Sequence, residues 1–197
     1  GEITLLKKLL EKWDREKQQL IFIGDLGDRG ENSKACFLLA KELVEKYGAI
    51  YLKGNHEAIL MNFIAKPEEY AGNYFLNGGL GSLESFLHER IDEEYSPTEI
   101  ALMMKHYYKD LLAFLAELPL YYEWEQYVFV HAGVDLGKKD WHDSSEEDFL
   151  WIREPESAPL GKADHLLRNI PAQPRAVPSA PVDAEGVGSA RLPQIAR

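Results

Sequence analysis

Asp25, Asp28 and Arg29 stand together in the stretch Leu20 to Gly30, LIFIGDLGDRG. Asn55, His56 and Glu57 are consecutive, and His131 opens His131-Ala132-Gly133. Carboxylates, an amide oxygen and imidazoles are the side chains that hold divalent cations or move protons, and a nearby guanidinium suits an oxyanion. Each group follows a short apolar run that reads as a buried strand: Leu20 to Ile23, Ile50 to Leu52, and Tyr127 to Val130. Three sets of metal-type or acid-base groups therefore sit just past three strand ends.

The elements that must position them follow from periodicity. Cys36, Leu39, Ala40, Leu43 and Tyr47 recur at steps of three and four, which predicts a helix over 33–47. Strand, helix and strand form a crossover that makes the two strands parallel and joins them right-handedly. Asp25 and Asn55 then share the carboxyl edge of one sheet, where ligand sites of open α/β sheets form.

Taken together, G-D-x-x-D-R-G at 24–30, G-N-H-E at 54–57 and H-A-G at 131–133 resemble the core motifs of the calcineurin-like metallophosphoesterases. The closest pattern is that of the serine/threonine phosphoprotein phosphatases of bacterial type, over Gly1 to about Glu154. The resemblance implies that Asp25 bridges two metal ions, that Asn55 and His131 are further ligands, and that His56 is the general acid. It also implies that Asp28 orients His56 and that Arg29 grips phosphate, with Arg153 as a further phosphate contact. The cofactor implied is a pair of divalent ions, manganese first, with iron or zinc as alternatives. Gly27 replaces a bulkier residue of the pattern and is expected to loosen its loop.

Two parts of the pattern are not found. The resemblance places a D-x-H-G motif where the chain begins, with Gly1 as its glycine, so its aspartate and histidine are expected to be missing. A G-H-T-like motif, the source of another metal-binding histidine, is also not found; His165 reads as incidental. From Glu156 to Arg197 there is no Phe, Tyr or Trp, and Pro and Ala dominate. That composition buries too little apolar surface to offset ordering entropy, which predicts an irregular tail over 156–197 after a partial domain over 1–155. The abrupt change suggests a frameshift or a fused reading frame after about Pro155.

The remaining chain reads as helical. Ile3, Leu6, Leu9, Leu10 and Trp13 form an apolar stripe near the start. Glu57 opens a helix to Ala65, and Lys66 to Gly79 is a polar, broken connection. Leu80, Leu83 and Leu87 form a helical stripe inside N-G-G-x-x-S-L-E-S, a run also similar to bacterial members of the family. Ser96-Pro97-Thr98-Glu99 caps a helix that runs to Pro119. Leu120 to Trp124 and Tyr127 to Val130 make a hairpin. Ser144 or Asp143 is expected to cap a short helix toward Leu150. His88 and His106 lie on no strand end and read as surface or packing residues.

The 197 residues allow one domain with a sizeable core, and 45% apolar content is ordinary. A formal charge of −11 disfavours nucleic acid and anionic membranes as partners. Phosphorylated substrates feel that charge too, but local metal ions and arginines override it. The single cysteine, Cys36, forms no internal disulfide, and no apolar run approaches the ~20 residues of a membrane span. A cytoplasmic setting is expected.

The fold class expected is α/β, a metallophosphoesterase-type β-sandwich flanked by helices that lacks its first and last strands. The activity implied is hydrolysis of phosphate monoesters by a hydroxide held between two metal ions, with a phosphorylated protein or a nucleotide as substrate. Symmetrical dinucleoside tetraphosphatase activity is the alternative within the same chemistry. A non-catalytic remnant is the alternative outside it, because ligands of both metals are missing.

Overall fold

Two short sheets, set among helices, deliver the three chemical loops. The computed structural model describes residues 1–88 and 90–153, together with the backbone of 165–168. The first helix, α1 (Ile3–Leu10), turns Leu6 into the core but leaves Leu9 more than half exposed, so the apolar stripe read from the sequence is only partly buried; Leu5, outside that stripe, is exposed as well. Strand β1 (Ile21–Phe22) leads into the Gly24 to Gly30 loop, and α2 (Ser33–Tyr47) follows. Asn32 caps α2 by accepting from Ala35 N, and Gly48, in the left-handed region, ends it. Strand β2 (Ile50–Tyr51) pairs with β1 in parallel, Ile21 opposite Ile50 and Phe22 opposite Tyr51. The crossover read from the sequence is present, although both strands are only two residues long.

Helix α3 (Asn55–Ala65) starts two residues earlier in the 54–57 motif than its apolar pattern indicated. The region expected to be a broken connection is largely helical: α4 (Pro67–Leu76) has Pro67 in its first turn, where a missing N–H costs nothing, and packs Ala71 and Tyr74 inward. Next come α5 (Gly79–Phe86) and the single turn α6 (Ile91–Glu94).

One helix was expected from Pro97 to Pro119; there are two. Helix α7 (Pro97–Tyr107), closed by the expected Ser96–Glu99 capping box, ends at Tyr108, and α8 (Lys109–Ala116) resumes. Tyr108 leaves helical geometry and sends its hydroxyl to the Phe86 carbonyl at 2.6 Å, a tertiary bond that periodicity does not record.

The hairpin forms as read. Strand β3 (Tyr121–Trp124) pairs antiparallel with β4 (Tyr127–Val130), the turn being made by Glu125 and Gln126. Helix α9 (Glu146–Trp151) is capped by Ser145, not by Ser144 or Asp143; Ser144 instead accepts from Asp135 N and donates to the Trp141 carbonyl.

Within the tail expected to be irregular, β5 (His165–Arg168) pairs in parallel with β4, Val130 opposite Arg168, giving the order β3-β4-β5. Two consecutive leucines and the free edge of β4 allow that strand despite the poor composition around it. His165 is therefore a strand residue. The frameshift expectation falls on residues that otherwise lie outside the described ones.

A main core joins α1 to α8 with both strands of the first sheet, through fully buried residues such as Phe37, Phe63, Tyr74, Leu83, Ile100 and Leu115. A smaller cluster of Val128, Val130, Val134 and Phe149 holds β4 against α9. The ends of the two sheets meet where His131 Nδ1 donates to the Ile23 carbonyl at 2.7 Å.

Candidate metal and phosphate site

Glu57 is the element on which the site hangs. It is fully buried, yet its two oxygens accept from Asp25 N at 2.9 Å, Leu26 N at 3.0 Å, Gly54 N at 2.8 Å and the Tyr51 hydroxyl at 2.8 Å. Burial and the carboxylate beside it push the Tyr51 phenol well above its ordinary pKa, so it stays a donor. One carboxylate thus ties the loop after β1 to the loop after β2. The sequence marked Glu57 only as a helix start, and nothing local gave the contacts across 31 and 32 residues.

That clamp holds an unusual backbone. Gly24 has φ 91°, and Asp25, Asp28 and Arg29 all lie in the left-handed region at φ 59°, 60° and 56°. Short Asp tolerates this better than Arg does, and such local strain persists where surrounding bonds over-determine it. Gly24 and Gly54 lie back to back. A Cβ on Gly24 would come within 2.5 Å of Gly54 Cα, and one on Gly54 within 2.5 Å of Asp25 Oδ1. Gly27 is packed rather than loose, since a Cβ there would run into the ring of Phe37.

The loops bring Asp25, Asn55 and His131 together. His131 Nε2 lies 3.0 Å from Asn55 Oδ1 and 3.5 Å from Asp25 Oδ1. The Ile23 carbonyl can only accept, so Nδ1 of His131 carries a hydrogen, and in the neutral imidazole that a metal ligand must be, Nε2 turns a lone pair toward the two oxygens. Three Lewis-basic atoms converging with no hydrogen between them suit a cation. Ligands about 2.1 Å from one ion lie about 3.0 Å apart at right angles and about 3.4 Å apart at tetrahedral angles, so the spacing fits. Among the described residues no group of three His, Cys, Asp or Glu side chains converges; this set depends on the asparagine.

Beside it lies an acid-base pair. His56 Nδ1 is 2.6 Å from Asp28 Oδ2, both residues being buried. Burial disfavours the imidazolium, but the bond to Asp28 and the charges of Asp25 and Asp28 outweigh it and raise the His56 pKa, with Arg29 opposing. Asp28 is held from behind: its Oδ1 accepts from Ser82 and, at 3.3 Å, from the Tyr74 hydroxyl. Its backbone N–H is shared by Ser33 Oγ at 2.9 Å and Ser82 Oγ at 3.0 Å. Ser82 falls in the N-G-G-x-x-S-L-E-S run, which is the one sequence signal that pointed to it.

Asp25, Asp28, Arg29 and His56 line an open cavity of about 330 Å³ whose far wall is α1, with Leu5 and Leu9. Arg29 is exposed and makes no ion pair with a described residue. Arg153, just past α9, is exposed and has no hydrogen bond to the cluster among the described residues.

The motif loops, the parallel pair and the His56–Asp28 geometry agree with a match to the family described as calcineurin-like phosphoesterase over residues 1–184. The chain belongs to the calcineurin-like phosphoesterase family. No curated protein sequence matches it. Among solved structures, one described as a candidate diadenosine tetraphosphatase superposes with a TM-score of 0.50 at 18% identity, covering 75% of this chain. At that identity the likeness concerns the fold. The chain spans about half of that structure, 52% of its length. No helix among the described residues is long and apolar enough to cross a membrane.

Proposed function

We propose that this calcineurin-like phosphoesterase hydrolyses phosphate monoesters with the help of divalent metal, with Asp25, Asn55 and His131 as the metal-holding set. The observation that carries the reading is the convergence of those three donors with the His56–Asp28 pair next to them in the chain, Asp25, Asp28 and His56 lining one cavity. A divalent ion there would polarise the phosphoryl group and acidify water. The chain's own residues do the rest. Arg29 offers its planar fork to the phosphoryl oxygens. Asp28 accepts the Nδ1 hydrogen of His56, which leaves Nε2 as the ring nitrogen that faces the substrate. As the bond between phosphorus and the ester oxygen breaks, the Nε2 proton passes to the leaving oxygen. A raised His56 pKa favours the protonated form that this step needs.

Phosphoserine or phosphothreonine in a protein is the substrate class that the motifs favour, and manganese is the metal first expected. The description of the solved neighbour favours a second class, a dinucleoside tetraphosphate. The test is turnover of p-nitrophenyl phosphate with Mn²⁺ by the chain and by His56→Ala, followed by a phosphopeptide and a dinucleoside tetraphosphate as competing substrates. Metal-dependent release of nitrophenol that His56→Ala abolishes supports the proposal. No release at any metal concentration points to the non-catalytic reading.

A further inference from the structure

Asp28 is buried, and each of its carboxylate oxygens has a defined task. Oδ2 faces His56 Nδ1; Oδ1 faces Ser82 Oγ and the Tyr74 hydroxyl. Ser82 has one hydroxyl hydrogen and two acceptors within reach, Asp28 Oδ1 and Ser33 Oγ, the latter at 2.7 Å. The charged acceptor takes it. Ser33 then has its own hydrogen to offer Ser82, and both serine oxygens accept the Asp28 N–H. Tyr74 is fully buried, and its burial together with the Asp28 charge pushes its pKa far up, so it donates throughout the working range. Among the described residues no buried side-chain nitrogen or oxygen lacks a partner, so this network is closed.

We propose that Ser82, with Tyr74 in support, is a positioning residue: it fixes the rotation of the Asp28 carboxylate so that Oδ2 holds the His56 imidazole in the orientation for proton donation. The proposal rests on the phosphoester hydrolase reading of the site. Rotation about the last carboxylate bond is soft, and one bond on Oδ2 alone does not fix it. Donors on Oδ1 do, and they reach it from α4 and α5, neither of which contributes a residue to the cavity lining. Removing Ser82 leaves Asp28 charged and buried with one donor fewer and a freer torsion. The general acid loses alignment, while the metal-binding set does not touch the change.

The test compares the Mn²⁺-loaded chain with Ser82→Ala and Tyr74→Phe on phenyl phosphate and p-nitrophenyl phosphate. The first ester has a poor leaving group that needs the proton; the second needs it much less. The expected result is a fall in kcat of about ten-fold on phenyl phosphate for Ser82→Ala, a smaller one for Tyr74→Phe, little change on p-nitrophenyl phosphate, and an unchanged KM. As a second readout, the low-field proton NMR signal of His56 Nδ1–H in the metal-free chain shifts or broadens in Ser82→Ala. Ser96→Ala, which removes the cap of α7, serves as a purely structural control: it lowers the Tm without altering the ratio between the two esters. Folded variants with the parent ratio and an unmoved signal overturn the proposal. A parent chain inert toward both esters refutes the hydrolase reading instead, and the NMR signal then decides the positioning role alone. Where Ser82→Ala fails to fold, Tyr74→Phe decides it.

Discussion

The Nδ1 atom of His56 lies 2.6 Å from Oδ2 of Asp28, across 28 residues of chain, with both side chains shut away from solvent. Asp28→Asn keeps the shape but offers the ring either an amide or a neutral carbonyl, which holds the imidazole in the wrong protonation state. The expected outcome is a loss of about 10²–10⁴-fold in kcat for a phosphate monoester with little change in metal affinity, checked by steady-state kinetics and calorimetry side by side.

Metal binding should depend on the mixed set. Titration of Mn²⁺ into the chain followed by calorimetry is expected to give binding that Asp25→Asn and His131→Ala each abolish. Because the ion binds the folded chain, saturating metal should also raise the Tm and a chelator should reverse that rise. Binding that survives in both variants would place the ion elsewhere.

Glu57→Gln puts an amide group against four donors. At least one N–H then faces another N–H in the interior, and we expect a loss of about 2–4 kcal/mol in unfolding free energy by urea denaturation. A variant as stable as the parent would mean that the two loops are held by something other than this carboxylate.

At Gly27, the ring of Phe37 occupies the space that a side chain would need. Gly27→Ala should cost about 1–3 kcal/mol by overpacking, and Phe37→Leu should recover part of it in the double variant. Strict additivity of the two changes would show that the contact is not the cause.

A fifth expectation concerns pH. His142 Nδ1 is 2.6 Å from Asp140 and its Nε2 is 3.0 Å from Glu123, so two carboxylates each want a hydrogen from the ring. Those hydrogen bonds, Asp140 first, raise its pKa above the ordinary value. A raised folded-state pKa means that the bridge contributes fully below the unfolded value of about 6.5 and is lost as pH rises through the folded one. Stability of the parent relative to His142→Gln should therefore decline with rising pH across that window. The contribution is small, as for other exposed ion pairs. An advantage that grows with pH contradicts the bridge.

The placement of much of the candidate site was legible in the sequence because its signals are local. An apolar run followed by Asp25, Asn55 or His131 announces both the strand and what it delivers, and the Ser96–Glu99 box announces a helix start. What was not legible is carried by contacts between distant residues. Glu57 looks like any first-turn glutamate until Asp25 and Leu26 are brought to it. Ser82 and Tyr74 look like a helix serine and a core tyrosine until Asp28 turns their way. The break at Tyr108 and the strand at His165 have the same origin: the Phe86 carbonyl and the open edge of β4 decided them, against helical periodicity in one case and composition in the other.

The back-to-back placement of Gly24 and Gly54 also governs which variants of this protein can arise. Each glycine is excluded from change by main-chain atoms of the other's loop, Gly54 Cα and N for Gly24 and Asp25 N for Gly54, so no shrinking of a neighbouring side chain makes room. In a library of random variants selected for function, both positions should stay glycine, and neither should have a second-site suppressor. Gly27, whose obstacle is the side chain of Phe37, should by contrast drift together with that core position. Two kinds of close contact thus leave two different marks on how the sequence can diverge.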